Sequence, residues 1–395
     1  LSLITAGVIV VMLVSWVLGD PVENLRTDWT ACDTAAERRA GGRVVYVPWD
    51  GETETLPYLY PPFVLWLAVP LRLVGYHLSF AFSALLSFGA LVVGASLVAR
   101  SGPDSVGDRR TAVTVCVTSG AAITSTLIGQ YSGLYALSIG AGTYFYGRGR
   151  QGWAGLALAL LVMKPNLAVA IPVVLLWSRS WRALGGFVAG TAGLLALSIP
   201  YGLDRWEGFV ANARQMADLQ RQGFVPFDKM VTVQSSLQEV FGLDSSSLVL
   251  WSMWLVVVGA MGLGVLEVWR RDAVEASILR AFGVLALFVV AANVRVFFYD
   301  ALVVAVGCLA VFSARGVLGG ESTRRLVFAS IGAIWVALWG GIWLPLNPLT
   351  GPLAGLLLVV VAVDARVARS QSSATDEAAG QVVELLAGDG LSAAA

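Results

Sequence analysis

Apolar and polar residues alternate in blocks along the chain. Apolar runs fall at about 1–19, 60–74, 77–98, 111–129, 132–147, 152–178, 183–200, 248–268, 278–293, 301–314, 326–346 and 352–366. Several approach the roughly 20 residues a helix needs to cross a bilayer. The pattern predicts an all-α integral membrane protein built as a polytopic helical bundle. Arginine placement gives the orientation, because cytoplasmic loops collect positive charge. With the loop 100–110 placed inside, alternate crossings bring Arg148/Arg150, Arg179/Arg182, Arg270/Arg271, Arg315/Arg324/Arg325 and Arg366/Arg369 to the same side.

Two runs must depart from a simple crossing for that scheme to close. The 60–74 run opens with Tyr60-Pro61-Pro62 and carries Pro70 and Arg72, so it is expected at the outer interface as a short amphipathic helix. The 152–178 run has basic residues at both flanks and Lys164-Pro165-Asn166 inside it. One straight span would hold Lys164 near the bilayer centre at a cost of about 2.5–3.5 kcal/mol. Two short helices broken at Pro165 avoid this. Each half covers only roughly 20 Å against a 30 Å hydrocarbon core, so the break is expected where the membrane thins or a polar cavity dips in. The sum is about twelve transmembrane helices with both termini cytoplasmic. Polar segments 20–59 and 201–247 are then large and external, and the first external loop, with its interfacial helix, covers 20–76.

Composition agrees. The chain of 395 residues is 57% hydrophobic and only 13% charged, which favours one polytopic domain over 1–366 rather than several soluble ones. Residues 367–395 are Ala/Ser/Gly-rich with scattered acids and read as a disordered cytoplasmic tail. A net charge of zero and the absence of like-charge runs argue against a nucleic-acid partner. Cys116 and Cys308 lie in apolar runs and read as small core residues. Neither an Asp-x-Asp pair nor a His/Cys ligand set stands at metal-binding spacing, so no metal or other cofactor is expected.

Candidate chemistry starts in the polar stretch 28–63. Asp28 opens a predicted helix, DWTACDTAAERRA, that Gly41-Gly42 terminates. It has two readings: a first-turn acid favoured by the helix dipole, or a general base able to take the proton of an attacking hydroxyl. Asp33 and Glu37 share another face of the helix and, with Arg38 and Arg39, read as solvated surface. Tyr60-Pro61-Pro62-Phe63 restricts the backbone to extended geometry and forms an elbow ahead of the interfacial helix.

In this order the segments resemble the C-type (GT-C) membrane glycosyltransferases, and within them glycosyltransferase family 87, which includes polyprenol-phosphate-mannose-dependent α-mannosyltransferases. An acid in the first external loop and the Tyr-Pro-Pro-Phe elbow are followed by LIGQYSGLYAL, similar to a GQ-x-N segment with Ser132 in place of Asn. GLALALLVMKPN resembles the family's short helix ending in Lys-Pro. VTVQSSLQEVFG is similar to an Asn-Gln-Ser segment with Val233 in place of Asn, and ANVRVFFYDALVV resembles a late Tyr-Asp segment. The resemblance runs from about 20 to 315 and implies a polyprenyl-phosphate-linked sugar donor, a glycolipid or glycan acceptor, and inverting transfer on the external face. It implies Asp28 as the base, and Lys164 and Arg295 as partners of the donor phosphate. Tyr60, Gln130, Gln234, Tyr299 and Asp300 are implied around the sugar and acceptor.

Blander readings stand beside these. Lys164 also reads as a snorkelling interfacial lysine, Arg295 as a membrane anchor, and Asp300 as a local partner of Arg295. The two glutamines also suit helix-end hydrogen bonding. His77, the sole histidine, reads as structural where some relatives carry a late histidine. The rival function is a transporter or flippase for a lipid-linked saccharide. That class typically shows internal repeats with matching broken helices, which this chain lacks.

Overall fold

The computed structural model describes residues 27–49, 57–102, 105–202, 204–222, 229–272, 277–343 and 346–367. The first apolar run and the expected tail beyond residue 367 lie outside them. Among the described residues the regular elements are helices, joined by one isolated antiparallel bridge between Met230 and Phe297.

Helix α1, Thr27–Ala40, carries Asp28 in its first turn and Arg38 and Arg39 in its last. It stops where the sequence predicts. Gly42 takes φ +68°, in the left-handed region that glycine enters without penalty, and the turn lets the Arg43 amide donate to the Arg38 carbonyl at 2.7 Å. Pro61, at φ −57° and ψ 154°, holds the elbow extended, and Pro62 starts α2, Pro62–Val74. This helix is short and leaves Trp66, Leu73 and Val74 exposed.

The bundle follows as α3 Tyr76–Arg100, α4 Val106–Val117, α5 Gly120–Ile128, α6 Ser132–Gly147, α7 Gln151–Met163, α8 Pro165–Trp177 and α9 Trp181–Tyr201. Helix α10 Asp204–Arg221 leads to α11 Val233–Phe241 and α12 Leu248–Arg270. Then come α13 Ile278–Ala291, α14 Phe298–Ser313, α15 Glu321–Trp343 and α16 Asn347–Val367. Among the described residues α3, α9, α12 and α16 are long and apolar enough to cross a membrane, and α4 with α5 makes a fifth candidate bent by 52°. The protein is therefore a multi-pass helical membrane protein. The 152–178 run is two helices, with Lys164 at φ −129° and ψ 86° between them. Pro165 excludes the residue before it from helical geometry, and that breaks the run.

Tight packing comes from small residues, as in other membrane bundles where lipid offers no hydrophobic drive for helix association. The backbones of α3 and α6 touch. A Cβ on Gly140 would lie 2.2 Å from the Gly94 carbonyl oxygen, and one on Gly133 would lie 1.7 Å from that of Ser87. Deeper in the bundle Arg280 of α13 pairs with Asp364 of α16 at 3.4 Å, and Asp364 also accepts from the Gly319 amide at 2.9 Å.

The polar stretch ahead of α2 is tied to α10. Gln215 of α10 exchanges hydrogen bonds with the Trp49 backbone at 2.8 and 2.7 Å, and Asn212 donates to the Tyr58 carbonyl at 3.3 Å. The reading of Asp33 as solvated surface gives way to an ion pair, while Glu37 keeps about half of its side chain exposed. Arg72 of α2 reaches back to pair with Asp33 at 3.0 Å and Glu37 at 3.3 Å, which clamps α2 to α1. Arg39 likewise lies over the Tyr201 ring, 5.1 Å from its centroid.

Candidate active site

Asp28 sits in the first turn of α1, where the amide ends of the helix favour a carboxylate. Its side chain is partly buried, and Gln130 donates a hydrogen bond to it. Gln130 is held from both ends. Gly129, at φ +76°, closes α5 and packs against Trp29, so a side chain there would collide with the α1 neighbour of Asp28. The Gln130 carbonyl accepts from Ser87 Oγ at 2.7 Å, and that hydroxyl accepts in turn from the Gly133 amide at 3.1 Å. The Tyr60 hydroxyl from the elbow donates to Gln130 Oε1. That contact fixes which face of the amide carries oxygen and leaves its NH₂ for Asp28.

The second carboxylate, Asp300, lies in the 3₁₀ turn that opens α14 and is fully buried. Ser132 Oγ donates to its Oδ1 at 3.0 Å, and Lys164 Nζ pairs with its Oδ2. Lys164 Nζ also lies 5.2 Å from the centroid of the Tyr299 ring. The break at Pro165 thus brings the one cation at the α7–α8 junction onto Asp300, where its charge also reaches Asp28. Burial pushes the Asp28 carboxyl up from its ordinary 3.8 to about 6, the Gln130 hydrogen bond and the Lys164 charge pull it down, and the Asp300 charge pushes it up.

Arg295 and Gln234 belong to a different part of the site. They line a cavity of about 1000 Å³ whose walls are mostly apolar and include Trp251, Trp254 and Val258 of α12. Its polar end is built from Asn166, Asn293 and Arg295. Asn166 donates to the Arg295 carbonyl at 2.7 Å, Asn293 donates to the Asn166 carbonyl at 2.8 Å, and the Arg295 amide donates to Asn293 Oδ1 at 3.1 Å. The Val231 amide reaches the Val296 carbonyl at 2.9 Å and brings the start of α11 alongside. There Gln234 is buried, and its side-chain oxygen has no hydrogen-bond partner. Asn166 stands two residues past Lys164, so the broken helix joins the carboxylate cluster to the cavity mouth.

The family model for glycosyltransferase family 87 matches residues 58–292, more than half of the chain. The chain belongs to glycosyltransferase family 87. It is accordingly a membrane glycosyltransferase. Tyr60, Gln130, Lys164 and Gln234 of this family 87 protein lie inside the matched span, while Asp28, Arg295, Tyr299 and Asp300 lie outside it and join them through the fold. Among solved structures, two of ArnT from Cupriavidus metallidurans are similar to this chain. The apo form is 13% identical with a TM-score of 0.42, covering 93% of this chain and 75% of that one. The form bound to undecaprenyl phosphate is 12% identical with a TM-score of 0.41, covering 93% and 76%. No curated protein sequence matches the chain.

The fold gathers Asp28, Tyr60, Gln130, Lys164, Tyr299 and Asp300 into one cluster and sets Arg295 and Gln234 at the cavity. The local Asp300–Arg295 pairing read from sequence gives way to a pairing of Asp300 with Lys164 across 136 residues. His77 packs edge-on against Tyr76 at 5.5 Å at the start of α3. Sequence reasoning missed Ser132, Asn166 and Asn293 as working residues. Each lay within a segment singled out for another residue, and a short polar side chain beside a proline break, at a helix start or just past a helix end was the signal that could have found it.

Proposed function

We propose that this family 87 enzyme transfers a sugar, with mannose first among the candidates, from a polyprenyl-phosphate donor to a glycolipid or glycan acceptor on the external face. The observation that carries this reading is a partly buried carboxylate, Asp28, beside a lysine at a helix break that leads into a large apolar cavity with an arginine at its mouth. The cavity suits an isoprenoid chain. Arg295 suits the phosphate at its head, since guanidinium pairs with phosphate oxygens through parallel hydrogen bonds.

In the proposed reaction the acceptor hydroxyl attacks the anomeric carbon as Asp28 takes its proton. The bond from that carbon to the phosphate oxygen breaks, the lipid phosphate leaves with the electron pair, and the new glycosidic bond forms with inverted configuration. Lys164 and Arg295 stabilise the charge that grows on the leaving phosphate, where fixed charges in a water-poor site contribute most. Gln130 orients the base. Tyr60 and Tyr299 bracket the reacting region, and Gln234 offers an unpaired amide oxygen toward the donor. Twelve crossings would place both external loops, and this site, on the same outer face.

The test is incubation of membranes carrying the protein with radiolabelled polyprenyl-phosphate mannose, glucose and arabinose. Label passing from one of these donors into lipid or glycan supports the reading. Label that stays on all three, in membranes where the protein is folded, overturns it.

A further inference from the structure

Lys164 cannot be understood from its own position alone, because both oxygens of the buried carboxylate beside it are engaged. Asp300 Oδ1 accepts from Ser132 at 3.0 Å and Oδ2 holds the ammonium, at a site where Asp300 has no exposed surface. A buried carboxylate is tolerated only when paired and hydrogen-bonded, and this one is paired through a side chain that keeps one-fifth of its surface open. The ammonium's charge also reaches Asp28. One cation therefore serves two carboxylates, leaving the trio with a net charge of −1 when both acids are ionised. The other titratable groups near Asp28 are Cys32 one turn along α1, Tyr60 of the elbow and Tyr299 beside Asp300.

We propose that Asp300, steadied by Ser132, is a positioning residue that retains the Lys164 ammonium, so that Asp28 remains a proton acceptor instead of becoming the lysine's direct ion-pair partner. The inference rests on the reading of Asp28 as the general base. A base locked into an ion pair is a weaker base, and proton transfer slows as basicity falls. Asp300 thus acts on the chemistry without touching the acceptor: it draws the positive charge away and adds a negative charge that favours protonation of Asp28.

Asp300→Asn tests this through the pH dependence of transfer, measured with radiolabelled polyprenyl-phosphate mannose, or with glucose or arabinose in its place if one of those is the sugar transferred. Released from Asp300, Lys164 turns to Asp28. The acid limb of the rate profile moves to lower pH, and the plateau kcat falls by about tenfold or more. Ser132→Ala moves the limb the same way by less. An independent readout is the infrared band of the protonated Asp28 carboxyl, assigned by its absence from Asp28→Asn, which titrates at lower pH in both variants.

An unmoved acid limb with a raised acceptor KM in folded Asp300→Asn overturns the inference and gives Asp300 a direct contact with sugar. If Asp300→Asn does not fold, Ser132→Ala decides, a downward shift supporting the proposal and an unchanged limb and band overturning it. Asp28→Asn separates the two levels. Full activity in that variant sinks the reading of Asp28 as base, whereas an inactive Asp28→Asn with unmoved limbs in the other two sinks only the positioning role of Asp300.

Discussion

Replacing Asp28 by Asn should abolish transfer and make the protein more stable. Asn keeps the size of the side chain and an oxygen for the Gln130 amide, and Lys164 retains Asp300 as its partner. What the change removes is the penalty of holding a charge in a poorly solvated place. The carboxyl titrates at about 6 in the folded protein against an ordinary 3.8. At 1.36 kcal/mol per unit this difference is about 3 kcal/mol, and partial exposure discounts it to about 1–2. The sign follows from linkage. Because the folded value is the higher one, both states are protonated at pH 3 and the acid costs nothing there. As pH rises from 3.8 to 6 the unfolded chain sheds its proton first and stability falls, and above pH 6 the full penalty is present. Thermal unfolding in detergent at pH 7.5 should therefore give Asp28→Asn a midpoint a few degrees above the wild type, and a matched pair at pH 4 should nearly coincide. A variant less stable than the wild type at pH 7.5, or a gain equal at both pH values, would refute the reasoning and make Asp28 a structural anchor.

Three further substitutions probe other parts of the site. Arg295→Ala should raise the donor KM by about tenfold or more, the loss of one charge-assisted hydrogen-bonding group, while the acid limb of the pH profile stays in place; steady-state kinetics with a labelled donor measures both. Lys164→Gln leaves Asp300 buried without its cation and should destabilise the protein by about 3 kcal/mol, and adding Asp300→Asn should restore part of that; unfolding midpoints of the two singles and the double provide the check. Gly140→Val drives a side chain into the Gly94 carbonyl oxygen, 2.2 Å from where its Cβ would stand, so α3 and α6 must part at a cost of about 1–3 kcal/mol or more, visible as a lower yield of monodisperse protein.

Features governed by local physics were legible in the sequence. Gly41-Gly42 ends α1 because a left-handed residue is required there. Lys164-Pro165 breaks the 152–178 run because a proline forbids helix before it and a mid-membrane lysine is costly. The shortness of the 60–74 helix followed from Pro70 and Arg72 interrupting an apolar run. Pairings between distant segments were not legible. Nothing near Asp300 in the chain points to Ser132 or Lys164, 168 and 136 residues away, and a charge on a polar helix face looks the same whether it meets water or Arg72. The cavity was equally hidden, since its walls come from α8, α12 and α13 and each reads alone as an ordinary apolar helix. Helix number falls between these cases. Twelve apolar runs can be read from the pattern, but packing bends and shortens the helices they form, and length alone identifies only four or five as crossings among the described residues.

The most direct measurement compares label transfer from polyprenyl-phosphate sugar donors by wild-type and Asp28→Asn protein, matched for folded amount in the same membranes. With Asp28 as the base, the wild type transfers label at a rate that rises as pH passes through about 6, and the variant transfers none above background. Equal transfer by the two proteins would contradict that role.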